Sequence, residues 1–242
     1  MVLNIFLGGD IVKISLIVVN YHSQKALKAC LASVRWGKLP HEVIVVDNDR
    51  DNVGYGAGIN KGAKQARGEY LLITNPDVVF GDKAIVKIAK YLDNHPRISA
   101  VGPNLPATNH LGILEGLVVL GVLNKWFPGN PISRHYFVKP TAKIKFPQCL
   151  NGCCFMIRRA VFEQLGGFDP KFFLYFEEND LFTRLQKFGG KCAMLPDAHV
   201  THIGQVSSGG RGNKAEFVKS RKYYFQKYYG VFWSRVINCI VG

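Results

Sequence analysis

From residue 13 onward the chain alternates short apolar runs with amphipathic stretches. Residues 13–20 (KISLIVVN) are a continuous β-branched run, the pattern of a strand buried on both faces. Ser23 then reads as the N-cap of a helix reaching about residue 35. Residues 42–47 (EVIVVD) repeat the strand pattern, and 54–67 read as a helix that keeps Ala57, Ile59, Ala63 and Ala66 on its inner side. A third strand over 69–74, a helix over 82–94 and a fourth strand over 98–102 complete a βαβαβαβ rhythm. That rhythm predicts an α/β fold with a parallel sheet and right-handed crossovers. In such sheets ligands bind beyond the carboxyl ends of the strands. Asn20, Asp47, Asn75 and Asp77 all fall there.

Residues 104–146 break the rhythm, being rich in Pro, Gly and aromatics, and no element is assigned to them. Regularity returns over 150–157, followed by a short helix from Arg159, a Gly-Gly-Phe-Asp-Pro turn at 166–170 and a helix over 178–188. Short strands are expected at 191–195 and 198–202, a Gly/Ser loop at 204–213, and a basic, aromatic helix at 215–229. The expected organisation is one domain over 1–242: a nucleotide-binding half (13–103), an acceptor-binding and catalytic half (104–213) and a C-terminal helix (214–242).

Composition narrows the class. Of 242 residues, 48% are apolar and 20% charged, which argues against long disorder. Six cysteines lack CxxC spacing, so buried thiols in a reducing compartment are expected rather than disulfides or zinc ligands. The formal charge of +14 attracts polyanions without choosing among nucleic acid, anionic lipid and phosphorylated small molecules. Residues 1–10 lack the basic start of a signal peptide. The apolar stretch 111–123 carries Glu115 and is too short to span a bilayer. No transmembrane helix is expected, which leaves a cytoplasmic chain that can dock on a membrane surface.

Four places carry candidate chemistry. Asp47 ends a buried strand and can accept from a nucleobase N–H or a ribose hydroxyl, although strand-end aspartates also simply form turns. Asn75-Pro76-Asp77 offers a carboxylate placed to hold Mg2+ or Mn2+ together with diphosphate oxygens. Glu177, Glu178 and Asp180 open a helix, where the macrodipole favours ionised acids and a carboxylate can act as general base. His202 can complete a metal shell, with His199 as competitor, and the loop carrying Arg211 can close over phosphates. Gly54, Gly56 and Gly58 spell GxGxG, not the dinucleotide fingerprint, and no phosphate-binding P-loop is present.

Together these motifs resemble glycosyltransferase family 2, in its branch of bacterial rhamnosyltransferases. The resemblance rests on IVVNYHS (17–23), EVIVVDN (42–48), NVGYGAGINKG (52–62), LLITNPDVVF (71–80), NGCCFMIRR (151–159), GGFDPKFFLYFEENDLFTRL (166–185) and the His202 region, in that order. It implies a GT-A fold, a Rossmann-like and mostly parallel sheet with an appended acceptor part. It also implies that Asp47 meets the nucleobase and that Asn20, Tyr21, Gly54 and Asn60 line the nucleotide pocket. Asn75 and Asp77 stand at the metal motif, His202 near metal or phosphate, and Glu178 at the base.

Two departures stand out. Asn75 replaces the first acid of Asp-x-Asp. Glu178 replaces the usual Asp and is one methylene longer, so Glu177 or Asp180 could share its role.

The function implied is inverting, metal-dependent sugar transfer. The donor is expected to be dTDP-rhamnose, with a UDP-sugar as alternative. The acceptor is expected to be a hydroxyl of a polysaccharide or lipid-linked glycan, in cell-envelope synthesis with peripheral membrane association. Two rival readings fit less well. A nucleic-acid-binding module does not account for acids at strand ends, and a sugar nucleotidyltransferase calls for a basic, Gly-rich signature absent from residues 20–23.

Overall fold

The computed structural model describes residues 2–7, 12–121, 126–204 and 213–241. A seven-stranded sheet organises them: β1 (Val2–Leu7), β2 (Ile14–Asn20), β3 (His41–Asp47), β4 (Tyr70–Thr74), β6 (Ala100–Gly102), β9 (Cys154–Arg158) and β10 (Cys192–Met194), in the order β1-β3-β2-β4-β9-β6-β10. Strands β2, β3, β4, β6 and β10 run one way, whereas β1 and β9 run against them.

The expected parallel rhythm therefore needs two corrections. The N-terminal apolar segment, unassigned from sequence, is an edge strand on β3. The fourth strand of the rhythm, β6, does not pair with β4, because β9 lies between them, antiparallel to both. The buried runs look alike whichever way the chain travels, so direction was not legible from periodicity. As a result, residues 13–103 and 104–213 contribute strands to one sheet.

Helices cover both faces. On one side α1 (Gln24–Ser33) and α3 (Ala84–Asn94) bury Leu27, Cys30, Ile85, Ile88 and Leu92 against Leu16, Leu72 and Met156. On the other, α2 (Tyr55–Ala63), α6 (Arg159–Gln164) and α7 (Glu177–Lys187) bury Ile59, Phe162, Leu181 and Phe182 against Ile17, Ile73 and Phe155. A two-stranded ribbon of β5 (Val78–Phe80) and β11 (Val200–His202) projects beyond the end of β4.

The region without a sequence assignment supplies a second pair, β7 (Ala107–Thr108) with β8 (Phe137–Val138), and two short helices, α4 (Ile113–Val118) and α5 (Pro131–Tyr136). These helices pack with α8 (Lys214–Val241) around a third core of Leu111, Val119, Tyr136, Phe172, Phe176, Tyr224, Phe225 and Ile237. The C-terminal helix thus runs well past residue 229. It is two helical stretches meeting at Gly230, whose φ of 85° and ψ of 170° suit only glycine.

This third core also holds α7 in place. Tyr175 and Phe176 adopt left-handed φ values of 69° and 64° just ahead of the helix, at roughly 1–3 kcal/mol each. Burying large side chains such as Phe172 and Phe176 is worth about 1.5–3 kcal/mol apiece, so the eight-residue cluster outweighs that strain. A polar lock adds to it. The fully buried carboxylate of Asp180 accepts from Arg184 Nε at 2.9 Å and Nη2 at 2.7 Å, from Tyr228 Oη at 2.7 Å and from Lys227 Nζ. Lys227 also reaches Asp169 at 2.7 Å. Asp180→Ala leaves these donors without their buried acceptor, and breaking such a pair typically costs about 3–5 kcal/mol. Urea unfolding of the variant is expected to show a loss of that order. A change below about 1 kcal/mol contradicts the lock.

Candidate functional site

The strands β2, β3 and β4 end at one edge of the sheet, and there the chain opens a cleft of about 610 Å³. Its wall from the strands comprises Val19, Tyr21, Asn48, Asn75, Pro76 and Asp77. Gly54 and Tyr55 come from the start of α2, Asn151 to Cys153 from the turn into β9, Phe173 to Tyr175 with Glu177 and Glu178 from the entry to α7, and His202 from β11.

Asp77 stands in the turn between β4 and β5 and is only 4% exposed. The β5–β11 ribbon aligns His202 opposite Val78, and the Ile203 N–H donates to the Asp77 carbonyl at 3.0 Å. This register brings His202 Nε2 to 3.2 Å from Asp77 Oδ1. One carboxylate and one imidazole, side by side at the cleft wall beside the amide of Asn75, are a donor set that suits a hard or borderline divalent cation sharing its shell with phosphate oxygens. His199, the competing histidine, is exposed and lies outside the cleft lining.

The same cleft is lined by Glu177 and Glu178. Glu177 is 6% exposed, and its Oε2 has no hydrogen-bond partner among the described residues. Burial, and secondarily the adjacent Glu178, hold its carboxyl well above the ordinary glutamate range. Burial also raises the carboxyl of Glu178, which lies against Gly152. A Cβ on Gly152 would come within 3.2–3.3 Å of the Glu178 side chain, so glycine is what lets that carboxyl lie flat on the cleft wall. Tyr55 Oη donates to the Gly152 carbonyl at 3.2 Å and braces the same turn. Gly54 is equally constrained: its φ is 87°, the Tyr55 N–H donates to Phe173 O at 3.0 Å, and a Cβ would overlap that oxygen.

Several expected residues sit elsewhere. Asp180 faces away from the cleft, into the lock with α8, so a share in proton transfer is corrected to a structural role. Asn60 is likewise structural. Its Nδ2 donates to Phe168 O at 2.7 Å and its Oδ1 accepts from Phe168 N–H at 2.9 Å, which pins the Gly-Gly-Phe turn to α2. Its amide is consumed by that turn and does not line the pocket. Asn20 and Asp47 pair in register at the ends of β2 and β3 but are not among the lining residues. The Asp47 carboxylate accepts from the Asp49 N–H at 3.0 Å. Arg211 and its loop lie outside the described residues.

Asn48, Asn52, Tyr55 and Asn151 were missed from sequence. Asn48 is 2% exposed, and its Nδ2 donates to Gly54 O at 3.2 Å, tying the loop after β3 to α2. Asn151 Oδ1 accepts from the Cys153 N–H at 3.0 Å. A signal was available in both cases, since an asparagine within a turn into or out of a buried strand is a side chain that organises backbone.

The architecture matches solved glycosyltransferases. A mannosyltransferase from Pyrobaculum calidifontis, in complex with GDP-Man and Mn2+, superposes with a TM-score of 0.58 at 16% identity over 95% of this chain and 69% of that one. GalNAc-T7, solved with UDP, GalNAc and Mn2+, gives a TM-score of 0.56 at 13% identity over 96% of this chain and 55% of that one. The shared fold is GT-A. In sequence, the chain is 30% identical over 178 residues to an N-acetylglucosaminyl-diphospho-decaprenol L-rhamnosyltransferase of Mycobacterium tuberculosis, covering 65% of this chain and 58% of that enzyme's length. The sequence model of "Glycosyltransferase like family 2" aligns with residues 9–223, and with the strand-end cleft and this fold the chain belongs to glycosyltransferase family 2.

Proposed function

We propose that the chain is an inverting, metal-dependent glycosyltransferase whose donor is dTDP-rhamnose and whose acceptor is a hydroxyl of a polysaccharide or lipid-linked glycan. One observation carries this reading: Asp77 with His202, and Glu177 with Glu178, line a single cleft at the carboxyl edge of the sheet. The rhamnosyl donor and lipid-linked acceptor are supported by the name of the mycobacterial relative. The setting follows from that acceptor: the inner face of the cell membrane, with peripheral association and no nucleic acid as partner.

Asp77 and His202 would hold Mg2+ or Mn2+. When bound, that ion neutralises the diphosphate and so stabilises the leaving group. Tyr21, Asn48 and Gly54, which line the cleft, would bound the nucleotide, and Asp47, at the end of β3, would meet its base. Phe173, Leu174 and Tyr175 form an apolar wall for the acceptor. Glu178 takes the proton from the acceptor hydroxyl as that oxygen attacks the anomeric carbon opposite the departing diphosphate. With one carboxylate acting as base and no covalent sugar–enzyme intermediate, the attack inverts the anomeric centre. Glu177, buried and held toward its neutral form, hydrogen-bonds a sugar hydroxyl without adding a second full charge to the cleft.

Three outcomes test this reading. Glu178→Gln is expected to lower kcat by about 10²–10⁴-fold with nucleotide affinity unchanged, and turnover near that of the wild type contradicts the assignment. A base acts only when ionised, so the rate rises with pH as Glu178 loses its proton. Because burial raises that group, the acid limb of kcat lies above the ordinary glutamate pKa of about 4.3. A limb at or below that value contradicts it. In thermal melts, dTDP with Mn2+ at about 100 times its Kd should raise Tm by roughly 5–10 °C. Asp77→Ala should abolish the metal-dependent part, whereas a larger shift with UDP assigns the donor to a UDP-sugar instead.

A further inference from the structure

The last stretch of α8, residues 231–241, has a mixed inward side: Ile237 and Val241 pack on the third core, and two polar side chains are spent on hydrogen bonds there. Ser234, 2% exposed, donates through Oγ to Lys222 O at 2.8 Å. Asn238 Nδ2 donates to Ser234 O at 2.7 Å, and its Oδ1 accepts from Nε of the buried Arg221 at 2.9 Å. Ile237 is the apolar residue that this stretch buries fully. The outward face carries Phe232 at 69% exposure and Ile240 at 47%, together with exposed Cys239 and partly exposed Val236. Val231 and Trp233 flank them. Several large apolar side chains presented together on a surface mark an interaction site.

Charge decides which partner. The described length of α8 carries six basic residues against one acid, Glu216, and that acid lies in its first turn. Arg235 is exposed on the outward face itself, and Lys219 and Lys222 are exposed on the preceding stretch. A second copy of this chain would bring the same charge against it, at +14 per copy. An anionic bilayer supplies the complement: an apolar boundary for Phe232 and Ile240, an interface that suits Trp233, and headgroup phosphates for Arg235 and Lys222.

We propose that this outward face docks on an anionic phospholipid bilayer, the helix lying along the surface. No helix among the described residues is long and apolar enough to cross a membrane. The purpose of the docking rests on the lipid-linked acceptor proposed above. The first stretch of α8 holds the acceptor wall of the cleft: Ser220 Oγ donates to Leu174 O at 2.7 Å, and Phe217 meets Tyr175 edge-on at 5.6 Å between centroids. Docking therefore anchors at the surface the same helix that braces that wall.

The test is co-sedimentation of the full chain with vesicles of phosphatidylcholine alone and of phosphatidylcholine with about one-third phosphatidylglycerol, without nucleotide. Binding to the anionic vesicles is expected to weaken as salt rises. In Phe232→Ser/Ile240→Ser it is expected to fall by about tenfold or more, while that variant keeps the wild-type thermal shift with dTDP and Mn2+. Should the double variant unfold, quenching of wild-type tryptophan fluorescence by lipids brominated along their tails, reduced in Trp233→Phe, gives the same reading. Three results overturn the proposal: no binding of the wild type to anionic vesicles, equal binding by wild type and variant, or a dimer in sedimentation velocity that the same substitutions dissolve. Vesicle binding with no nucleotide-induced shift would retain the docking surface and remove the transferase reading; the converse pattern would do the reverse.

Discussion

Asp77, Glu177 and Glu178 place three carboxyl groups around one cleft, two of them buried, and much of the structure is arranged to keep them there. Carboxylates taken out of water are costly unless they are paired or neutralised. The chain does both. Asp77 is met by His202 across the β5–β11 ribbon, and burial beside Glu178 pushes Glu177 toward its neutral form. In a chain with a formal charge of +14, this is a local inversion of sign. Under the function proposed above, it suits a diphosphate that arrives with its own cation.

The scaffold that maintains this cluster comes from distant parts of the chain. Strands β2, β3 and β4 deliver one wall, and β9, inserted antiparallel beside β4, delivers the turn carrying Gly152. Glu178 rests on that glycine only because α7 enters through the left-handed pair Tyr175 and Phe176. That strain is sustained by a core built with α8, and Asp180 is tied to Arg184, Lys227 and Tyr228 behind the cleft. The C-terminal helix is therefore part of what sets the geometry of the acids, and its outer end carries the face proposed to meet lipid.

Much of this was legible from periodicity and strand-end chemistry. Asp77, His202, Glu177 and Glu178, singled out from the sequence, line one cleft, although strand-end and first-turn acids are also common as plain turn and helix-start residues. Strand direction was not legible, since a run such as Cys154–Arg158 reads the same in either orientation. Nor was the role of Asp180, which shares the acidic first turn with the two glutamates. Only the packing of α8, more than thirty positions later in the chain, shows that this carboxylate faces the opposite way. Asn60 misled for a related reason: an amide can serve a ligand or a turn equally well, and here the Phe168 backbone claims both of its ends. Residues 104–146 resisted assignment because α4 and α5 are six residues each, too short for a helical period to show, although Asn130 caps α5 and Pro131 starts it.

The most direct test is the position of the cation. Crystals grown with dTDP and Mn2+, measured at a wavelength where manganese scatters anomalously, should show one strong anomalous peak within coordinating distance of the Asp77 carboxylate and of both phosphates. The Glu178 carboxyl should face the space beyond the terminal phosphate. Manganese bound away from Asp77, or a nucleotide seated where Glu178 cannot reach the sugar position, would contradict the account.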